Sequence, residues 1–183
     1  MFKVHNKSEF IASYQAGKRD FRYTILTAIN LTGSNLQQII LDESNLIEID
    51  WSNCNLDRAS LKKAYLGLSI FQNCYLQGAN LQSANLEEAN LENANLVNAD
   101  LRNANLRQVN LKGANLQGAK LANACLTGAV YDRETIFDLN FDPQAAGAIA
   151  IDTSTDAEAS EDRGAIQKIL SWCRYPGAVN SKQ

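Results

Sequence analysis

The side chains able to do chemistry are few and scattered. The one histidine, His5, stands in the N-terminal run Met1-Phe2-Lys3-Val4-His5-Asn6-Lys7, and no Ser/His/Asp set forms around it. It reads as a solvated residue. Four cysteines, Cys54, Cys74, Cys125 and Cys173, lie too far apart for any paired zinc-ligand spacing. Glu87, Glu88 and Glu92 form a charge cluster whose default role is a solvated surface. There is no glycine-rich phosphate loop and no metal-ligand cluster. The expectation is a protein that is not an enzyme, with no cofactor and no metal.

Composition narrows the setting. The chain has 183 residues, 45% of them hydrophobic, enough for one domain or one capped repeat array. Seventeen basic and twenty acidic residues give a net charge of −3, which lacks the basic footprint of a nucleic-acid binder. No apolar run approaches the roughly 18–20 residues needed to cross a membrane. No apolar h-region follows the charged N-terminus, so a signal peptide is not expected and the cytoplasm is the default compartment.

The elements that position these residues are set by a repeat. From Phe21 to Leu126 every fifth residue is large and apolar: 22 positions, of which 19 are Leu and the others Phe21, Trp51 and Phe71. Two residues earlier runs a second series, from Ala59 to Ala129, of mostly small side chains. Between them stands a polar position, commonly Asn, as at Asn80, Asn85, Asn90 and Asn95. A period of five would drift about 140° per repeat around a helix, so no apolar stripe would form. Ala-Asn-Leu alternates in-out-in, as a strand does, and the two residues that follow must turn the chain. Repetition makes a coil with flat sides, stacked at about 4.8 Å per turn.

The run Gly78-Ala79-Asn80-Leu81-Gln82 through Gly118-Ala119-Lys120-Leu121 resembles the pentapeptide-repeat family, whose motif is Ala-(Asp/Asn)-Leu-x-x in tandem. The resemblance covers about residues 19–130 and implies an all-β fold, a right-handed quadrilateral parallel β-helix with four repeats per coil. Cys54 and Cys74, twenty residues apart, would then stack as buried thiols standing in for alanine. Trp51 and Phe71 would stack in the core, where Trp is unusual and is expected to bulge the wall. Ile29, Ile39 and Ile49 replace the small residue and are expected to widen or distort the first coils.

Four segments follow. Residues 1–20 form a tail and helical cap, with Asn6 and Glu9 in capping-box spacing, Phe10, Ile11 and Tyr14 on one face and Gly17 as terminator. Residues 21–130 form the β-helix. Residues 131–151 form a C-terminal cap, in which Tyr131, Ile136 and Phe141 keep the five-residue phase. Residues 152–183 combine an acidic stretch, read as a linker, with Ile166, Ile169, Leu170 and Cys173 at helical spacing, widened by Ala165 and Trp172. Such a helix either folds back on its own protein or docks on a partner.

Outward positions of the third coil carry Tyr65, Leu68, Ile70 and Tyr75, with Ile47 stacking on the same side. This apolar cluster on a polar prism is either a contact surface or is covered by the N-terminal tail or the C-terminal helix. Ile47, Tyr65, Leu68, Ile70, Tyr75, Ile166, Ile169, Leu170 and Trp172 are therefore the candidate partner-binding residues. The expected function is a non-catalytic scaffold or regulatory adaptor whose partner is another protein. The alternative is a DNA-mimic modulator of a type II topoisomerase, as some family members are. The nine basic and ten acidic residues between 19 and 130 weaken it, because a mimic needs an acidic rod.

Overall fold

A computed structural model describes residues 6–151. Asn6 opens the chain's one described helix, α1 (Lys7–Gln15): its side-chain Oδ1 accepts the Glu9 amide at 2.9 Å, satisfying a first-turn donor. Gly17, at φ +95°, ends it. Phe10 is fully buried, its ring centroid 4.9 Å from that of Phe21, so α1 closes the first coil. Tyr14 donates its hydroxyl to the Gln37 carbonyl at 2.9 Å, and Arg19 lies over the Tyr14 ring.

From Asp20 onward each side of the coil is held by parallel bridges between residues twenty apart: Asp20 to Ile40, Ile25 to Asn45, Asn30 to Asp50, Asn35 to Asn55, and so upward. One coil therefore takes four pentapeptides. The first side carries residues 20, 40, 60, 80, 100 and 120. The second carries 25 to 125, the third 30 to 130, and the fourth 35 to 115 and then 136. Three-residue strands were expected, but a turn every five residues leaves a single paired residue per side. Only β1 (Val130–Tyr131) and β2 (Ile149–Ala150), parallel to each other, are longer.

The core is the inside of the coil. The large central residues from Leu31 up to Leu116 are all at most 1% exposed, and the small series lines the space between them. Each turn has its third residue at φ between +52° and +73°, from Tyr23 to Gly128 without a break. Positive φ at that place is the type II turn signature and favours Gly and Asn. At Gly113, with φ +65°, a Cβ would also meet the Asn93 side chain, which would have to move aside.

One expectation needs correction. Trp51 does not bulge the wall. Its ring stacks on Phe71 at 6.0 Å and 8°, and its amide keeps the 2.7 Å ladder bond to the Ile70 carbonyl. Ile39 and Ile49 distort their turns, while the ladder continues past them. The Ile39 amide reaches the Leu36 carbonyl at 3.3 Å, whereas the Ala turns close at about 3.0 Å, as at Ala79. At Ile49 a hydroxyl from the coil above substitutes. Ser69 Oγ accepts the Ile49 amide at 3.1 Å and donates to the Leu46 carbonyl at 2.9 Å. Ser44 serves Thr24 and Phe21 in the same way.

The phase of the C-terminal cap is also corrected. Asn115 pairs with Ile136, twenty-one residues on. The extra residue lies in the turn Asp132–Thr135, where Asp132 Oδ1 accepts from the amides of Gly113, Glu134 and Thr135 and from the Thr135 hydroxyl. Ile136 thereby takes the outward place, half-exposed, and Phe137 packs inward against Tyr131 and Phe141.

Candidate functional site

The outward polar position has a structural task. Asn Oδ1 accepts the amide of the residue two further on, as Asn80 does for Gln82, Asn85 for Glu87, Asn90 for Glu92 and Asn115 for Gln117, at 3.0–3.1 Å. This Asx turn stabilises the corner that follows. Asn110 adds a rung, donating Nδ2 to Asn90 Oδ1 at 3.0 Å.

In the third coil all four such positions depart from Asn or Asp: Ser60, Tyr65, Ile70 and Tyr75. The cost is visible. The amides of Lys62 and Gln77 turn instead to carboxylates one coil below, Asp42 Oδ1 at 3.0 Å and Asp57 Oδ1 at 2.9 Å. Those of Gly67 and Gln72 have no partner among the described residues. Apolar side chains here oppose the local structure, and among the described residues nothing covers Tyr65 or Tyr75, which are 54% and 53% exposed.

The structure brings part of the expected cluster together. Tyr65, 54% exposed, lies on the second side, Ile70 half-buried on the third, and Leu68, 39% exposed, on the corner between them. Ile47, half-buried, occupies the same corner one coil below. Tyr75, though exposed, stands on the fourth side, half a coil from Tyr65, and does not join this edge. Ile25, 54% exposed, belongs to the surface instead, on the second side two coils below Tyr65, with exposed Tyr23 on the corner before it. The sequence reading missed both; the interval of forty residues from Ile25 to Tyr65 was the available signal. Ile166, Ile169, Leu170 and Trp172 lie outside the described residues.

Charges around this edge are balanced. Lys63 lies 3.8 Å from Glu43, and Arg107 lies 3.7 Å from Glu87. On the first side, Arg102 holds Asp100 at 2.6 Å, and its hydrogen bond keeps that carboxyl below the usual carboxylate range. A shallow groove of about 300 Å³ on the corner between the fourth and first sides is lined by Gln37, Gln38, Asp57, Arg58 and Gln77. The inward thiols behave as core groups. Cys54 donates to the Leu31 carbonyl at 2.9 Å and Cys74 to the Cys54 carbonyl at 3.3 Å. Burial pushes Cys54 up to about 11 and Cys74 higher still, so neither is a thiolate at neutral pH. Among the described residues no group of three or more His, Cys, Asp or Glu is placed to hold a metal, and no helix is long and apolar enough to cross a membrane.

No curated protein matches the sequence. The family profile described as a pentapeptide repeat region matches residues 44–121. Among solved structures, the pentapeptide repeat protein alr5209 from Nostoc PCC 7120 is 31% identical, over 82% of this chain and 98% of its own, with a TM-score of 0.27. Rfr23, from the cyanobacterium Cyanothece 51142, is 27% identical over 72% of this chain and 99% of its own, with a TM-score of 0.47. HetL, described as involved in heterocyst differentiation regulation in Nostoc sp. PCC 7120, is 26% identical over 70% and 82%, with a TM-score of 0.31. With the unbroken five-residue series, the profile match and the identity to alr5209 in hand, the chain belongs to the pentapeptide-repeat family.

Proposed function

We propose that the protein is a non-catalytic interaction scaffold whose contact surface is the edge formed by Ile25, Ile47, Tyr65, Leu68 and Ile70. The partner is another protein, met by the side of a right-handed quadrilateral β-helix. One observation carries the reading: three of the third coil's four Asx positions hold Tyr65, Ile70 and Tyr75, and two of the amides so released, those of Gly67 and Gln72, have no partner among the described residues. Exposed aromatic and aliphatic groups on a rigid, otherwise polar frame favour protein contacts. The topoisomerase alternative has less support, because basic residues beside Glu43, Glu87 and Asp100 break up any acidic track.

The test is a substitution that separates binding from folding. Tyr65→Asn and Ile70→Asn restore the repeat's own residue beside the free amides of Gly67 and Gln72. Each restored hydrogen bond contributes about 0.5–1.5 kcal/mol, so the double variant should melt at or above the parent. Cross-linked partners recovered with the parent should be lost with the variant. A variant that melts as expected and recovers the same partners would overturn the assignment.

A further inference from the structure

We infer that the groove on the corner between the fourth and first sides, with Tyr75 at its margin, binds a neutral oligosaccharide. Five side chains meet there from three successive coils: Gln37 and Gln38, Asp57 and Arg58, and Gln77. Tyr75 stands two residues before Gln77 and is bridge-paired with Asn55, itself two residues before Asp57. It therefore borders the groove on the fourth side. Its side chain is 53% exposed, and the apolar edge around Tyr65 lies half a coil away.

The frame beneath these side chains is fixed. Asn55 Oδ1 accepts the Asp57 amide at 3.0 Å, and Asp57 Oδ1 in turn accepts the Gln77 amide at 2.9 Å. Tyr14 donates its hydroxyl to the Gln37 carbonyl at 2.9 Å, which ties α1 to the lower end of the groove. Gly78 stands one coil above Arg58 on the same corner. A Cβ there would lie 3.7 Å from Arg58 Cγ, so glycine leaves the space beside the Arg58 stem open. The side-chain ends of Gln37, Gln38, Arg58 and Gln77, by contrast, have no hydrogen-bond partner among the described residues.

This donor set selects the ligand. Carboxamide, carboxylate and guanidinium groups each offer paired planar sites, and vicinal hydroxyls present the donor and acceptor pairs that match them. An apolar ligand would leave these groups desolvated and unpaired. An anion would meet Asp57 beside the groove's single cation, Arg58. Tyr75 supplies a flat amphipathic ring on which the C–H face of a pyranose can lie. The coils recur at about 4.8 Å, close to the length of one pyranose unit, so a glycan running up the corner meets polar side chains at every coil. A volume of about 300 Å³, at the lower bound of ligand pockets, fits a short stretch of such a chain.

Amide NMR spectra of the full chain test this with three neutral probes, cellohexaose, maltohexaose and laminarihexaose, and one anionic probe, a heparin hexasaccharide. At least one neutral probe should move the signals of Gln37, Gln38, Arg58 and Gln77, side-chain amides included, with an affinity that salt does not change. Two variants should fold as the parent does. Tyr75→Asn installs the residue that Asn55 and Asn95 carry on that side, and Arg58→Asn suits the positive φ of that place. Tyr75→Asn should weaken binding about tenfold, and Tyr75→Trp should restore it. Arg58→Asn should weaken it severalfold. The inference fails if no neutral probe moves these signals, or if Tyr75→Asn binds as tightly as the parent. It fails equally if heparin alone binds and salt abolishes that binding, which would reduce the site to surface charge.

Discussion

At the residue scale the five positions of the repeat divide the work. The central Leu fills the core, the small residue lets the wall approach it, and Asn caps the next turn through its own Oδ1. The third turn residue accepts a positive φ, and half of the 22 such places are Gly or Asn. The inward assignments were legible because apolar and small side chains recur without a gap. The hydroxyl bridge was not, because Ser69 serves a turn twenty to twenty-three residues earlier, and nothing local distinguishes it from a small filler. That bridge makes a sharp prediction. Ser69→Ala leaves the buried Ile49 amide and Leu46 carbonyl unpaired, which costs about 1–3 kcal/mol. In an Ile49→Ala background the turn can close on itself as it does at Ala64. The same Ser69→Ala change should then cost less than half as much. Denaturant midpoints of the four proteins check this, and equal costs in both backgrounds would show that the Ile side chain is not what opens the turn.

At the element scale the two caps differ in how far they could be read. The N-terminal helix announces itself through Asn6, Glu9 and Gly17, which are local signals. The C-terminal cap keeps Tyr131, Ile136 and Phe141 at intervals of five, and that apparent phase misled, since the Asp132–Thr135 turn inserts a residue. The turn is held by the Asp132 carboxylate. Burial opposes its charge, but the Gly113 amide, the Thr135 hydroxyl and the Glu134 and Thr135 amides outweigh burial and hold its pKa below the ordinary value. A lowered folded pKa means that the stabilisation is present above the ordinary value, about 3.9, and is lost as pH falls through the folded one. Asp132→Asn should therefore lower stability at pH 7 by about 1–2 kcal/mol, in line with hydrogen bonds to a charged group. The difference between parent and variant should narrow steadily below about pH 4. Melting curves of both proteins across that range decide it; a gap independent of pH would remove the carboxylate's charge from the account.

On the scale of the whole molecule, the twenty-residue interval converts sequence distance into position on a surface. Tyr65 and Tyr75 are neighbours in the chain but half a coil apart, while Ile25 and Tyr65 share a side across forty residues. Grouping Tyr75 with Tyr65 followed chain proximity; the stacking interval shows why it fails. The same interval has a mechanical consequence. Asn6 and Ile151 lie toward opposite ends of the stack, so tension between them runs along the interstrand hydrogen bonds and peels the ladder instead of shearing it. Coils detach singly, because each is bonded only to its neighbours. Every detachment frees twenty residues, worth about 66–72 Å of extended chain at 3.3–3.6 Å per residue. Pulled in an optical trap, the protein should lengthen in a staircase of equal, low-force steps, like a spring unwinding one turn at a time. A single abrupt rip would mean that the coils are coupled far beyond their neighbours.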